Sequence, residues 1–227
     1  MVWVKKEIPH VPSLEEGSPY AKRFTKCCLS HLLLSRRAWL KEKMNELLID
    51  TPQKALEFVI VNIDYPFSKL GRPCDTHIWN AFQGKACFKI DLDYWQDPHE
   101  TMMTYLLNRR LKGKNGYGDC EDVSLLTCAL LEELKVECFV CFGEVYKDEQ
   151  FLGGHAWVIA KLDDKWHLCE MTLDVPPPYP NGYPVIDPNK SEYKVGDLIY
   201  KAWIKFNSSE YYEWNSTSSA KIFQYSS

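Results

Sequence analysis

Long apolar runs are missing from this chain of 227 residues. The two richest patches, CCLSHLLLSRRAWL and ALEFVIVNI, break well short of the roughly 18 residues that span a bilayer, so no membrane partner is expected. The opening segment, MVWVKKEIPHVPSLEEG, lacks the apolar stretch and small-residue cleavage site of a secretory signal. A cationic excess is missing too. The net charge is -4 and the pI is near 5.9. The densest basic pairs (Lys5-Lys6, Arg36-Arg37 and Arg109-Arg110) are scattered, which leaves no electrostatic footprint for nucleic acid. Nor is there a disulfide framework: the nine cysteines are an odd number at irregular intervals. Cys138 and Cys141 stand three apart, but on a strand that spacing sends the two thiols to opposite faces, and no second ligand pair stands at zinc-like spacing. Reduced thiols and a cytoplasmic location are the expectation.

With 45% hydrophobic and 14% aromatic residues, the chain can bury a core without metals or disulfides. Residues 1–18 read as an extended arm. Ser18-Pro19 caps a helical stretch over 19–49, broken near Ser30, and Thr51-Pro52 caps a second helix ending near Ile63. Between Asp64 and Asp93 the pattern is mixed, with turns at Gly71, Pro73 and Gly84. Asp97-Pro98 opens a helix to about Leu111. A further helix starts at Cys120, where Val123, Leu126 and Leu130 form an apolar stripe with Leu125, Ala129 and Leu134. VECFVCFGEVY then reads as a strand, and HAWVIAKLDDKWHLCEMT as a hairpin turning at Asp163-Asp164. VPPPYPNGYPVIDPN is a Pro-rich loop, and LIYKAWIKF is the last strand before a Ser-rich tail. Helices preceding strands rather than alternating with them give an α+β class. The boundaries fall at 1–63 for an arm and helical extension, 64–206 for a core, and 207–227 for a polar tail.

Cys120 stands in GYGDCEDVSLL at the mouth of its helix, where unpaired N–H groups and positive potential favour a thiolate and can bind an oxyanion. Gly116 and Gly118 are read as allowing a substrate close to the backbone. Position alone leaves Cys120 evenly balanced between a reagent and a small residue filling a helix start. His155, in GGHAWVIA, begins a strand. If the hairpin turns at Asp163-Asp164, His155 lies opposite Thr172 and diagonally across from Glu170 on the same face. An imidazole with a carboxylate in reach, packed against a helix-mouth cysteine, makes a nucleophile, base and orienter. By the same alternation His167 faces away. Cys27-Cys28, Cys128 and Cys169 read as core. Asp119, Glu121 and Asp122 read as caps that complement the helix dipole, and Trp157 shares the His155 face, with packing and shielding both open.

GDCED, GGHAW and KWHLCEMT resemble, in order and spacing, the transglutaminase-like superfamily of papain-like cysteine enzymes. The resemblance covers roughly residues 93–174, and DYWQDPHET is similar to the segment before the nucleophile in several microbial members. It implies a papain-like core with a nucleophile helix on an antiparallel sheet, and a core spanning 64–206 that carries the chemistry. It implies Cys120 as nucleophile, His155 as base and Glu170, four residues after Trp166, as third member. The commoner acid there is Asp; Asp174 is the alternative. Trp95 and Gln96 are the implied oxyanion donors, and Asp122 matches an acid of the family motif that holds the nucleophile loop. The implied reaction is acyl transfer at an amide through a thioester, with hydrolysis of a protein or peptide preferred. The alternatives are a transglutaminase using an amine acceptor and a non-catalytic peptide-binding module. No cofactor or metal is needed, and calcium, required by some relatives, has no ligand cluster in the sequence.

Overall fold

The computed structural model describes residues 2–6, 29–65, 96–112 and 115–214. Strand β1 (Trp3–Lys6) is followed by α1 (Leu29–Leu34), α2 (Arg37–Glu46), α3 (Pro52–Asn62) and the short β2 (Ile63–Asp64). Then come α4 (Pro98–Lys112), β3 (Gly116–Tyr117) and α5 (Cys120–Glu133). The remainder is strand: β4 (Cys138–Lys147), β5 (Gln150–Leu162), β6 (Lys165–Cys169), β7 (Glu192–Val195), β8 (Leu198–Phe206) and β9 (Tyr211–Trp214). One antiparallel sheet runs β1-β9-β8-β4-β5-β6, with β7 alongside β8, and β2 and β3 form a separate parallel pair. The fold is therefore α+β, with helices covering one face of an antiparallel sheet.

Local chemistry accounts for most boundaries. Thr51 Oγ1 accepts from the Lys54 N–H at 3.2 Å, and Pro52 takes the first helical position of α3, where a missing N–H costs nothing. Asp97 and Glu100 bond each other's backbone N–H groups at 2.8 and 2.9 Å, a reciprocal cap that starts α4. Two hairpins turn on residue pairs with positive φ, Asp148-Glu149 (47° and 65°) and Asp163-Asp164 (46° and 63°). Both pairs have the signature of a two-residue turn whose twist matches the strands. The β5–β6 register, Val158↔Cys169 to Leu162↔Lys165, is the one the sequence predicts for that turn.

Strand alternation divides the core. Ala156, Val158 and Ala160 of β5 face α5, whereas Trp157 and Ile159 enter a second cluster on the opposite face. Cys138 lies in the first and Cys141 in the second, as their spacing predicts. β8 changes sides within its length. Ile204 and Phe206 face the helices, but Ala202 and Tyr200 lie in the second cluster. The cause is a bulge: Phe142 pairs with Ile204 and Gly143 with Ala202, so Trp203 is an extra residue that inverts the alternation. Gly143 is required there, because a Cβ would collide with the Lys201 carbonyl.

Three local expectations change. The break in the first helical stretch falls at Arg36, whose φ is 49°, and not at Ser30, which lies inside α1. A strand, β9, forms at 211–214 in the stretch read as tail, and it pairs with β1 from Trp3↔Trp214 to Lys6↔Tyr211. Both strands are too short for a convincing period, and their pairing is long-range. β7 (Glu192–Val195) is likewise a strand that the pattern does not predict. The Ser18-Pro19 cap, the turns at Gly71, Pro73 and Gly84, and Cys27-Cys28 lie outside the described residues.

Candidate active site

The loop that delivers Cys120 is fastened from below. β2 and β3 pair Ile63↔Gly116 and Asp64↔Tyr117, and the Gly118 N–H donates to the Asp64 carbonyl at 3.2 Å. Thr104 of α4 accepts from the Tyr117 N–H at 2.8 Å. At Gly116 a Cβ would lie 2.6 Å from Tyr105 N, and at Gly118 one would lie 2.9 Å from the Asp122 Cβ. These glycines serve close packing against α4 and the first turn of α5, not the approach of a substrate. Asp122, fully buried, closes the cap of α5 by accepting from the Asp119 N–H. Its carboxylate also accepts from the backbone N–H and side-chain amide of Gln96, both at 2.6 Å.

At the mouth of α5 the chain brings Cys120, His155 and Glu170 together. β6 ends at Cys169, so Glu170 leaves the ladder at the level where β5 presents His155. His155 Nε2 lies 2.7 Å from Glu170 Oε2, with the two side chains 19% and 15% exposed, sheltered from bulk water yet reachable. The imidazole is also close enough to the Cys120 thiol for each group to shift the other's titration. Glu121 Oε2 lies 3.1 Å from the sulfur, and the backbone N–H of Ala156 acts on it from β5. Thr172 donates to Glu170 Oε1 through its N–H at 3.0 Å and its hydroxyl at 2.7 Å.

This arrangement moves protons. Burial pushes the Cys120 thiol up, but the hydrogen bond and charge of His155 outweigh it and hold the thiol below its ordinary value. Burial pulls His155 down, and its bonds to Cys120 and Glu170 more than offset that, raising it to about 10. Glu170 is pushed up by burial and pulled further down by His155 and Thr172, so it stays ionised. The three shifts favour one state: thiolate, imidazolium, carboxylate. The other described thiols behave oppositely where a shift is resolved, since burial raises Cys128, Cys141 and Cys169.

The supporting residues divide. Gln96 spends both amide hydrogens, on Asp122 Oδ2 at 2.6 Å and on the Tyr117 carbonyl at 3.2 Å, so it has none for an oxyanion and instead braces the loop. Trp95 lies outside the described residues. Trp157 is fully buried and stacked 6.2 Å from His155. His167 faces away, its Nδ1 donating to the Tyr183 carbonyl at 2.7 Å. Asp174 is exposed on the following loop, and Glu170 takes the place beside the imidazole. Sequence reasoning missed Thr172 as a ligand of that carboxylate, and Tyr200, whose hydroxyl donates to Glu170 Oε2 at 3.2 Å. Among the described residues no group of three or more His, Cys, Asp or Glu side chains is arranged to hold a metal. No helix among them is long and apolar enough to cross a membrane.

A helix-mouth thiol, a strand imidazole and a carboxylate thus meet on an α+β scaffold. The chain belongs to the transglutaminase-like family: the model described as "Transglutaminase-like domain" matches residues 38–195, which contain all three groups. No curated protein matches the chain. Among solved structures, Legionella pneumophila LapG is similar at 14% identity and a TM-score of 0.42, over 90% of this chain and 84% of that one. Its calcium-bound form gives 15%, 0.41, 91% and 88%. A candidate cysteine protease from Cytophaga hutchinsonii gives 15% identity and a TM-score of 0.37, over 93% of this chain and 61% of that one.

Proposed function

We propose that the protein is a cysteine peptidase or amidase that cleaves an amide through a thioester. The observation that carries this reading is His155 held 2.7 Å from Glu170 and coupled to Cys120 at the mouth of α5. Cys120 thiolate attacks the carbonyl carbon, and the negative charge moves to the carbonyl oxygen. The N–H of Cys120, at the positive end of α5, faces that charge. His155 then gives its proton to the leaving amine as the C–N bond breaks. Water attacks the thioester, His155 takes its proton, and the thiolate leaves as the acid product forms. A polypeptide substrate is supported by the edge of β5: among the described residues β6 pairs with it only from Val158 onward, so the stretch that leads to His155 has no strand partner on that side.

The test is mass spectrometry of a peptide and casein panel incubated with wild type and Cys120→Ala. Cleavage products that require Cys120 are expected. Amine incorporation with loss of ammonia would reassign the acceptor, and the absence of any Cys120-dependent product, together with slow Cys120 alkylation, would overturn the enzyme reading.

A further inference from the structure

The third member of the site is a glutamate, whose side chain has one more rotatable bond than aspartate and loses more freedom when held in one geometry. Its carboxylate is nevertheless bonded on both oxygens. Thr172 holds Oε1, and Oε2 is shared by His155 and by Tyr200 of β8. Tyr200 is 4% exposed, its ring edge-on to Trp157 at 5.2 Å and tilted against His155 at 6.2 Å. It reaches Glu170, at the end of β6, across two strands, because β4 and β5 lie between β8 and β6. The bulge at Trp203 makes this possible: without the extra residue, Tyr200 would share the helix-side face of Ile204. The residue also lies beyond the segment 38–195 that matches the family.

We propose that Tyr200 is a positioning residue for the acyl-transfer site: its hydroxyl fixes the Glu170 carboxylate in the plane and charge state that orient His155. The inference rests on the cysteine-peptidase reading above. The chemistry is one-directional. Tyr200 is pushed up, first by burial and then by Glu170, so it remains a donor throughout the working range. A donor aimed at an ionised carboxylate stabilises the anion and restricts its rotation. Among the described residues, the titratable groups around Glu170 are His155 from β5, Tyr200 from β8 and Cys169 beside it on β6, with Cys120 of α5 beyond the imidazole.

The experiment is the pH profile of Cys120 alkylation by iodoacetamide, read by peptide mass spectrometry for wild type, Tyr200→Phe and Glu170→Gln. Phenylalanine keeps the ring against Trp157 and removes only the hydroxyl. A hydrogen bond to a charged group corresponds to a shift of about one pH unit, so the acid limb of Tyr200→Phe should move up by that amount. Glu170→Gln should lose the wild-type acid limb altogether. A Tyr200→Phe profile that overlays wild type while Glu170→Gln departs from it overturns the positioning role and leaves Tyr200 as packing. A wild-type Cys120 that reacts at pH 6 no faster than the other thiols overturns the proposed function itself, so the two failures are distinguishable. Circular dichroism of Tyr200→Phe checks the fold; should it unfold, Tyr200→His, which retains a ring and an N–H donor, is expected to keep the acid limb, and its loss, as in Glu170→Gln, would sink the idea.

Discussion

Cys120 and Cys169 both lie next to a residue of the site, Cys169 beside Glu170 in the chain and Cys120 beside His155 in space, yet they titrate in opposite directions. Cys169 sees burial, then Cys138 and the Glu170 carboxylate, and all three push it up. Cys120 sees burial and an imidazole held protonated by that same carboxylate, and it goes down. Glu170 therefore acts through His155. Replacing it with glutamine keeps shape and removes charge, so kcat/KM on a cleaved peptide should fall by roughly 100-fold, in the range set by general acid–base catalysis. The sign of the pH effect follows from the same bonds. Against the downward pull of burial, His155 is raised from 6.5 to about 10 by Cys120 and Glu170, so wild-type kcat/KM should fall along an alkaline limb near pH 10, where the proton for the leaving amine is gone. In Glu170→Gln that limb should move down; an unmoved limb in a pH–rate profile would show that the carboxylate does not hold the proton.

At the scale of elements, α5 is the part on which the site depends, and its first turn is over-determined. Asp122 accepts three N–H donors, two from Gln96 and one from Asp119, while being fully buried. Asp122→Ala leaves those donors without a partner and should destabilise the protein by about 3 kcal/mol, read from the midpoint and slope of urea unfolding. Equal stability of the variant would mean that the loop before Cys120 is held by β2 and β3 alone. The far end of α5 is fixed differently, by Arg37 of α2 bonding Glu132 at 2.9 Å and Glu133 at 2.8 Å. The helix is thus pinned at both ends by residues distant in sequence.

For the molecule as a whole, the first and last described strands close one edge of the sheet together. Trp3 packs edge-on against Trp214 at 5.1 Å, donates to the Lys190 carbonyl at 3.0 Å and lies 4.8 Å from the ammonium of Lys205. Trp3→Ala removes all three contacts from a half-buried position and should cost about 2 kcal/mol, measured by thermal or urea unfolding. Because β9 and β8 separate this edge from β4 and β5, the Cys120 alkylation rate should be unchanged while the fold remains intact. A slowed alkylation would mean that the edge and the site are coupled.

What the sequence determined by itself was local: caps at Thr51 and Asp97, the hairpin turning on Asp163-Asp164, the helix mouth at Cys120, and the parity that puts His155 and Glu170 on one face and Cys138 and Cys141 on two. Each follows from the chemistry of a few neighbouring residues or from a period of two. Tertiary structure alone decided the rest. It sent Gln96 to Asp122 rather than to an oxyanion, because a buried carboxylate competes for every donor near it. It turned Gly116 and Gly118 toward α4 and Asp122, and it paired β1 with β9 across the whole chain. It also placed Tyr200 beside Glu170 through a single bulged residue on another strand. One extra residue inverts a strand's faces, and whether it is present depends on which strand lies alongside, so neither period nor composition reveals it.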